Sequence, residues 1–171
     1  RASLHRAAAA VLAAGTDPGA AGLAAGHWLA AGDEARAAPL LLAAARRSVV
    51  ECDNERAQEH YRRVLAIVDG PANDAVAREL AARRALWDDP EDPGGVASHS
   101  DAAAVLREVR RIAHRGLGDA LTVSGRLDDA IAEYDAALAE AAEDGARADA
   151  LARLGAACFA KGELLLAARR L

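Results

Sequence analysis

Residues 117–138 read LGDALTVSGRLDDAIAEYDAAL. On either side of Gly125 the apolar residues recur at three- and four-residue spacing: Leu117 and Leu121 before it, Ala130, Ile131, Tyr134, Ala137 and Leu138 after it. That period puts each set on one face of a helix, and the glycine between them supplies the turn. The residue sizes then predict how the helices meet. Gly118, Ala130 and Ala137 are small enough for two antiparallel helices to cross closely, and Leu117, Leu121 and Tyr134 fill the groove between them.

The same pattern restarts at Leu154-Gly155, an offset of 37 residues, and continues through Ala157, Cys158 and Gly162 to Ala167 and Leu171. The first half carries it more loosely. His27-Trp28-Leu29, Gly32-Asp33, Ala37, Leu41 and Ala44 keep the spacing, and Ala57, Tyr61 and Val64 repeat its second helix.

These residues resemble the tetratricopeptide (TPR) repeat, a helix–turn–helix unit of about 34 residues. The likeness is strong from Leu117 to Leu138; the family's late proline is replaced by Ala142, and the wider offset implies a longer turn between copies. It implies an all-α, TPR-like α-solenoid of antiparallel helix pairs, with about nine helices in all. Leu4-His5-Arg6, the stretch Gly26 to Asp33, and His60 to Leu65 together look like the helical arm that follows the ATPase domain in large bacterial signalling proteins, such as LuxR-type ATP-binding regulators and ATPases fused to cyclases or kinases. In those proteins the arm is implied to sense an inducer or partner protein and to restrain or release the ATPase.

Helix signals along the chain are punctuated by glycine, proline and capping aspartates. They predict helices over 2–14, 20–31, 33–51, 54–68 and 74–87, then a long one from 102, another over 127–143, one between Gly145 and Gly162, and the start of a ninth. Residues 88–100 open with Asp88-Asp89-Pro90-Glu91-Asp92-Pro93-Gly94-Gly95, whose prolines and glycines exclude a regular element. The expected organisation is therefore degenerate TPR-like helices over 1–87, an acidic linker over 88–100, and TPR-like repeats over 101–171 with the last one truncated.

Composition supports close helix packing. Of 171 residues 49 are alanine and five are aromatic, so the helices can approach one another but have few large rings to pack. A net charge of -5 argues against a nucleic-acid surface. The cluster Arg107, Arg110, Arg111 and Arg115 reads as a solvated helix face. Cys52 and Cys158 have neither disulfide nor zinc spacing, which fits a reducing cytoplasm, and no apolar run approaches the length of a membrane span. The absence of methionine and a final helical pattern still running at Leu171 suggest a module of a longer polypeptide.

Searches for chemistry give no catalytic, cofactor-binding or metal set. The single lysine, Lys161, is followed by Gly162-Glu163, not by a phosphate-loop pattern, and neither a nucleophile elbow nor a zinc-helix motif occurs. His27 beside Trp28 and His60 beside Tyr61 read as packing positions. Asp88 to Asp92 lack the alternation of a calcium loop. Asp128, Asp129, Glu140 and Glu143 read as an exposed carboxylate face, and Cys158 as an inert buried thiol.

The residues expected to matter are those that pack the repeats: Trp28, Gly32, Ala37, Leu41, Ala57, Tyr61, Leu117, Gly118, Leu121, Gly125, Ala130, Tyr134, Ala137, Leu154, Gly155, Gly162 and Ala167. The expected partner is a protein, a peptide, a neighbouring domain of the same polypeptide or a small effector, met on the concave face of the stack. A helical accessory domain using Arg111, His114 and Arg115 on an anionic substrate is the alternative from another class, and a structural spacer is a third.

Overall fold

The computed structural model describes residues 1–15, 19–87 and 101–162. Over these the chain is all-helical, with eight α-helices: α1 (Ala2–Ala14), α2 (Ala20–Ala30), α3 (Glu34–Val50), α4 (Asn54–Val68), α5 (Asn73–Ala82), α6 (Ala102–Val123), α7 (Leu127–Glu140) and α8 (Asp144–Ala160). The linker expected at 88–100, the ninth helix and Ala167 lie outside the described residues.

Two boundaries differ from the sequence reading. The fifth helix stops at Ala82, and a short 3-10 turn, Arg84–Leu86, carries the chain to Trp87. Trp87 is 1% exposed, and its indole Nε1 donates to the Leu80 carbonyl at 2.9 Å. Bending the chain lets the ring fold back into the core, which a continued helix would not allow. The seventh helix ends three residues early because Ala141 turns inward with an extended backbone and is buried.

Neighbours in sequence are neighbours in space. α1 packs on α2, α2 on α3, α3 on α4, α6 on α7 and α7 on α8, while α4 packs on α6 and α5 is lodged against α3 and α6. One apolar core runs through both halves, from Ala24 and Trp28 through Val64, Val68, Leu80 and Trp87 to Leu117, Leu121 and Leu154.

Three of the described helix joints share one piece of backbone geometry. At the end of α2, Gly32 takes φ +76°, its N–H donates to Leu29 O, and the Asp33 N–H donates to Trp28 O. At the end of α6, Gly125 takes φ +73° with matching bonds to Thr122 O and from Arg126 N–H to Leu121 O. This is the Schellman turn, which satisfies the last carbonyls of a helix and needs a left-handed residue. The end of α3 makes the same two bonds with Cys52 at φ +60° in glycine's place. Gly162 after α8 has φ +84° and bonds to Phe159 O. Asp33 and Asp53 then cap the next helix, each carboxylate accepting from the N–H three residues on, of Arg36 and Arg56.

Candidate functional site: a groove along alternate helices

The glycines of α6 set how closely its neighbours sit. A Cβ at Gly118 would lie 2.6 Å from Cε1 of Tyr134, so the ring of α7 rests directly on the α6 backbone. The Tyr134 hydroxyl donates to Asp119 at 2.8 Å and pairs with Thr122 at 3.1 Å. Burial, followed by the charge of Asp119, holds its pKa above the usual phenol value. Two residues earlier, Gly116 receives the ring of Tyr61 from α4.

The other residues expected to pack the repeats divide into two sets. Trp28, Ala37, Leu41, Ala57, Tyr61, Leu117, Gly118, Leu121, Ala130, Tyr134, Ala137, Leu154 and Gly155 are buried. Gly32, Gly125 and Gly162 are exposed and occupy the left-handed turns. Cys158 is fully buried and Cys52 exposed.

The arginine cluster of α6 is not the solvated face that the sequence suggested. Only Arg107 is exposed. Arg111 is 2% exposed and donates twice to Glu108, at 3.0 and 2.8 Å, so that the pair is desolvated together. Arg110 reaches across to α4, donating to Asp69 Oδ1 at 2.8 Å and to the Val68 carbonyl at 3.1 Å. An i, i+3, i+4 row of arginines looks solvated in sequence, and it is buried here because α6 has helices on several sides. Arg111, His114 and Arg115 do not converge: His114 pairs with Glu133 of α7 at 2.7 Å, and Arg115 lies 3.8 Å from Asp149 of α8.

Two adjoining clefts form a groove on one side of the molecule. The first, of about 510 Å³, is walled by Leu12 and Ala13 of α1, Ala21 of α2, Leu40, Ala43, Arg46, Arg47 and Val50 of α3, and Ala85 and Leu86 of the 3-10 turn, with Gly15 at one end. The second, of about 310 Å³, continues past Arg46 and Val50 to Tyr61, Trp87, Ile112, Arg115, Gly116, Asp119 and Arg153. The lining helices are chiefly α1, α3 and α6, and α8 adds Arg153.

The character of the groove changes along its length. The first cleft is apolar apart from Arg46 and Arg47. The second holds three guanidiniums, those of Arg46, Arg115 and Arg153. Arg46 is pinned between the clefts by donating from Nη1 to the Trp87 carbonyl at 2.9 Å. Arg153 grips Asp119 through Nη1 at 2.6 and 2.7 Å and Asp149 through Nε at 2.9 Å. Burial works against its charge, and these carboxylates more than compensate, raising its pKa.

With that geometry established, comparison with family models, with curated proteins and with solved structures gives no match for this chain.

Other positions that drew notice in the sequence have structural partners. His27 Nδ1 meets His5 Nδ1 at 2.8 Å, joining α2 to α1. Arg36 stacks its guanidinium 4.7 Å over the Trp28 ring. His60 lies in a crevice between α2 and α4 with Gly22, Gly26, Glu59 and Arg63, where burial lowers its pKa. Asp128 and Asp129 are exposed, beside Lys161 and Arg126. Among the described residues no three His, Cys, Asp or Glu side chains gather as a metal set, and no helix is long and apolar enough to cross a membrane.

Sequence reasoning missed Arg46, Trp87 and Arg153 as groove residues. Repeat spacing carried no signal for the arginines: Arg115 and Arg153 fall two and one residues ahead of the paired Leu117-Gly118 and Leu154-Gly155, at different positions of the pattern.

Proposed function

We propose that the chain is a TPR-like binding module whose groove along α1, α3, α6 and α8 receives a protein, a peptide, a small effector or a neighbouring domain, and which thereby regulates a larger signalling ATPase. The observation that carries this reading is the groove itself: two adjoining clefts that share Arg46 and Val50, one apolar and the other arginine-rich. The recurrence of one turn geometry at Cys52 and Gly125, each nine residues ahead of a tyrosine seated on α6, supports a repeat origin. So does the seating of Tyr61 and Tyr134, at matching places in their helices, on glycines of α6. In this reading catalysis belongs to other domains, and occupancy acts by shifting how stacked helix pairs sit on one another, since each pair contacts chiefly its neighbours.

The test is photocrosslinking in cells. A photoreactive residue at Val50, exposed in the groove, is expected to give one dominant adduct with a partner or with an attached domain, and the same residue at Val123, exposed on the far end of α6, none. Equal labelling from both sites, or none from Val50, overturns the assignment of the groove as the binding face.

A further inference from the structure

α1 forms one wall of the larger cleft through Leu12 and Ala13, so how firmly α1 is held sets the shape of the groove. Its seat is light. Of its residues only Ala9 is buried, with Leu12 and Ala13 partly covered, so a single methyl is its fully buried anchor. α1 packs chiefly on α2. Elements with few buried apolar contacts lie at the low-stability end of a fold, where one polar contact counts for more.

A pair of histidines makes that contact. Nδ1 of His5 lies 2.8 Å from Nδ1 of His27, and both rings are half-buried. With the ring centroids 5.1 Å apart, the imidazoles meet end to end at these nitrogens, not face to face. An imidazole nitrogen is either an N–H donor or a bare acceptor, and the contact needs one of each. It survives the first proton, since an imidazolium still donates to a neutral ring. It does not survive the second: both Nδ1 atoms then carry hydrogen, and two like charges face each other at hydrogen-bond distance.

The surroundings offer that second proton no counter-ion. Neither α1 nor α2 contains an Asp or a Glu. The other charged groups of α1 are Arg1 at its N-cap and Arg6, both exposed and both cationic. The start of α3, which packs on α2, brings Asp33, Glu34 and Arg36. There Asp33 lies 3.6 Å from Arg36 and Glu34 lies 3.8 Å from Arg63, while Arg36 is stacked on Trp28.

From this arrangement we infer that His5 and His27 form a latch that holds α1 on α2 at neutral pH and releases it when both rings are protonated, so that acid loosens one wall of the groove. Imidazoles change charge between about pH 5 and about pH 8. The released state binds one proton more than the latched state, so falling pH favours release. That the latch regulates binding rests on the groove being the binding face; the latch itself does not.

Hydrogen exchange of the intact chain, followed by mass spectrometry at about pH 7.5 and about pH 5.5 and corrected for the intrinsic pH dependence of amide exchange, tests it. Protection of α1 relative to α6 is expected to fall about tenfold at the lower pH, the loss that goes with one hydrogen bond of ordinary strength. His27→Gln leaves a single imidazole, so no pair of like charges can form, and the fall is expected to vanish. His60→Gln, which removes the imidazole of the α2–α4 crevice, is expected to keep it. The inference is overturned if relative protection of α1 in the wild type is the same at both pH values, if His27→Gln loses it as the wild type does, or if His60→Gln abolishes the response. Should Val50 crosslink nothing while α1 responds to acid as stated, the groove reading fails and the latch stands. Should Val50 crosslink a partner while α1 does not respond, the latch alone fails.

Discussion

Tyr61 of α4 lies against the bare Cα of Gly116 in α6, so close that a Cβ at position 116 would stand 2.7 Å from the ring's Cε2. This contact joins the two halves of the chain. Tyr61 also lines the arginine-rich cleft, so the helix joint and the groove share a wall.

Gly116→Ala should therefore destabilise the fold. Alanine is the better helix former by about 1 kcal/mol, but a methyl forced into a packed contact costs about 1–3 kcal/mol. Gly26→Ala is the control: that glycine is exposed, mid-helix, with nothing within 4 Å of its would-be Cβ, and the substitution should stabilise by about 0.5–1 kcal/mol. Urea denaturation of the two variants gives the comparison. In a Tyr61→Ala background the Gly116→Ala penalty should shrink, and equal penalties in both backgrounds would mean that the contact is not what sets it.

Cys52 offers a substitution in the stabilising direction. It holds φ +60° at a turn where its counterparts Gly32 and Gly125 are glycines, and a left-handed residue with a Cβ costs about 1–2 kcal/mol. Its side chain is exposed, so little packing is lost on removing it. Cys52→Gly is expected to raise stability by about 1 kcal/mol and Gly125→Ala to lower it by a similar amount. Opposite signs in the thermal midpoints check the pair; a loss of stability in both would remove the equivalence of the turns.

How much of this was legible in the sequence depends on which physical signal each feature rests on. Leu117, Leu121, Tyr134 and their small partners were readable because burial on a helix imposes a period, and Gly32, Gly125 and Gly162 because a left-handed turn selects glycine. Cys52 gave no such signal, since nothing in its side chain announces positive φ. Arg111 was read as solvated, because a charged residue in sequence does not reveal that Glu108 is buried with it. The groove was invisible for a related reason: Arg46, Arg115 and Arg153 are far apart in the chain, and only the stacking of α3, α6 and α8 places them around one cleft.

The Glu108–Arg111 pair gives a prediction about burial. Both side chains are under a tenth exposed and joined by two hydrogen bonds. Glu108→Ala removes the carboxylate that takes two hydrogen bonds from the buried guanidinium, and breaking a buried pair from one side costs about 3–5 kcal/mol. Replacing both residues by leucine should cost less than Glu108→Ala alone, because neither charge of the pair is then buried. Equilibrium unfolding of the single and double variants measures the difference, and a double variant less stable than Glu108→Ala would show that the pair contributes more than mutual compensation.

His60 predicts a pH dependence whose sign follows from its surroundings. Its Nε2 lies 3.7 Å from the Cβ position of Gly22 in the α2–α4 crevice. Burial lowers its pKa below 6.5, with Glu59 opposing, Arg56 reinforcing and Asp53 opposing in smaller measure. The unfolded chain therefore takes up the proton more readily than the folded one. The neutral imidazole's contribution is complete above the unfolded value of 6.5 and is lost as pH falls from there through the lowered folded value. Between about pH 7.5 and about pH 5.5 the wild-type unfolding midpoint should fall, and His60→Gln, which cannot take up that proton, should fall less over the same interval. Carboxylates titrate mostly below this window, and the remaining histidines are common to both proteins, so the difference between the two slopes isolates His60. Parallel slopes would place the imidazole in a site as open to water in the folded chain as in the unfolded one.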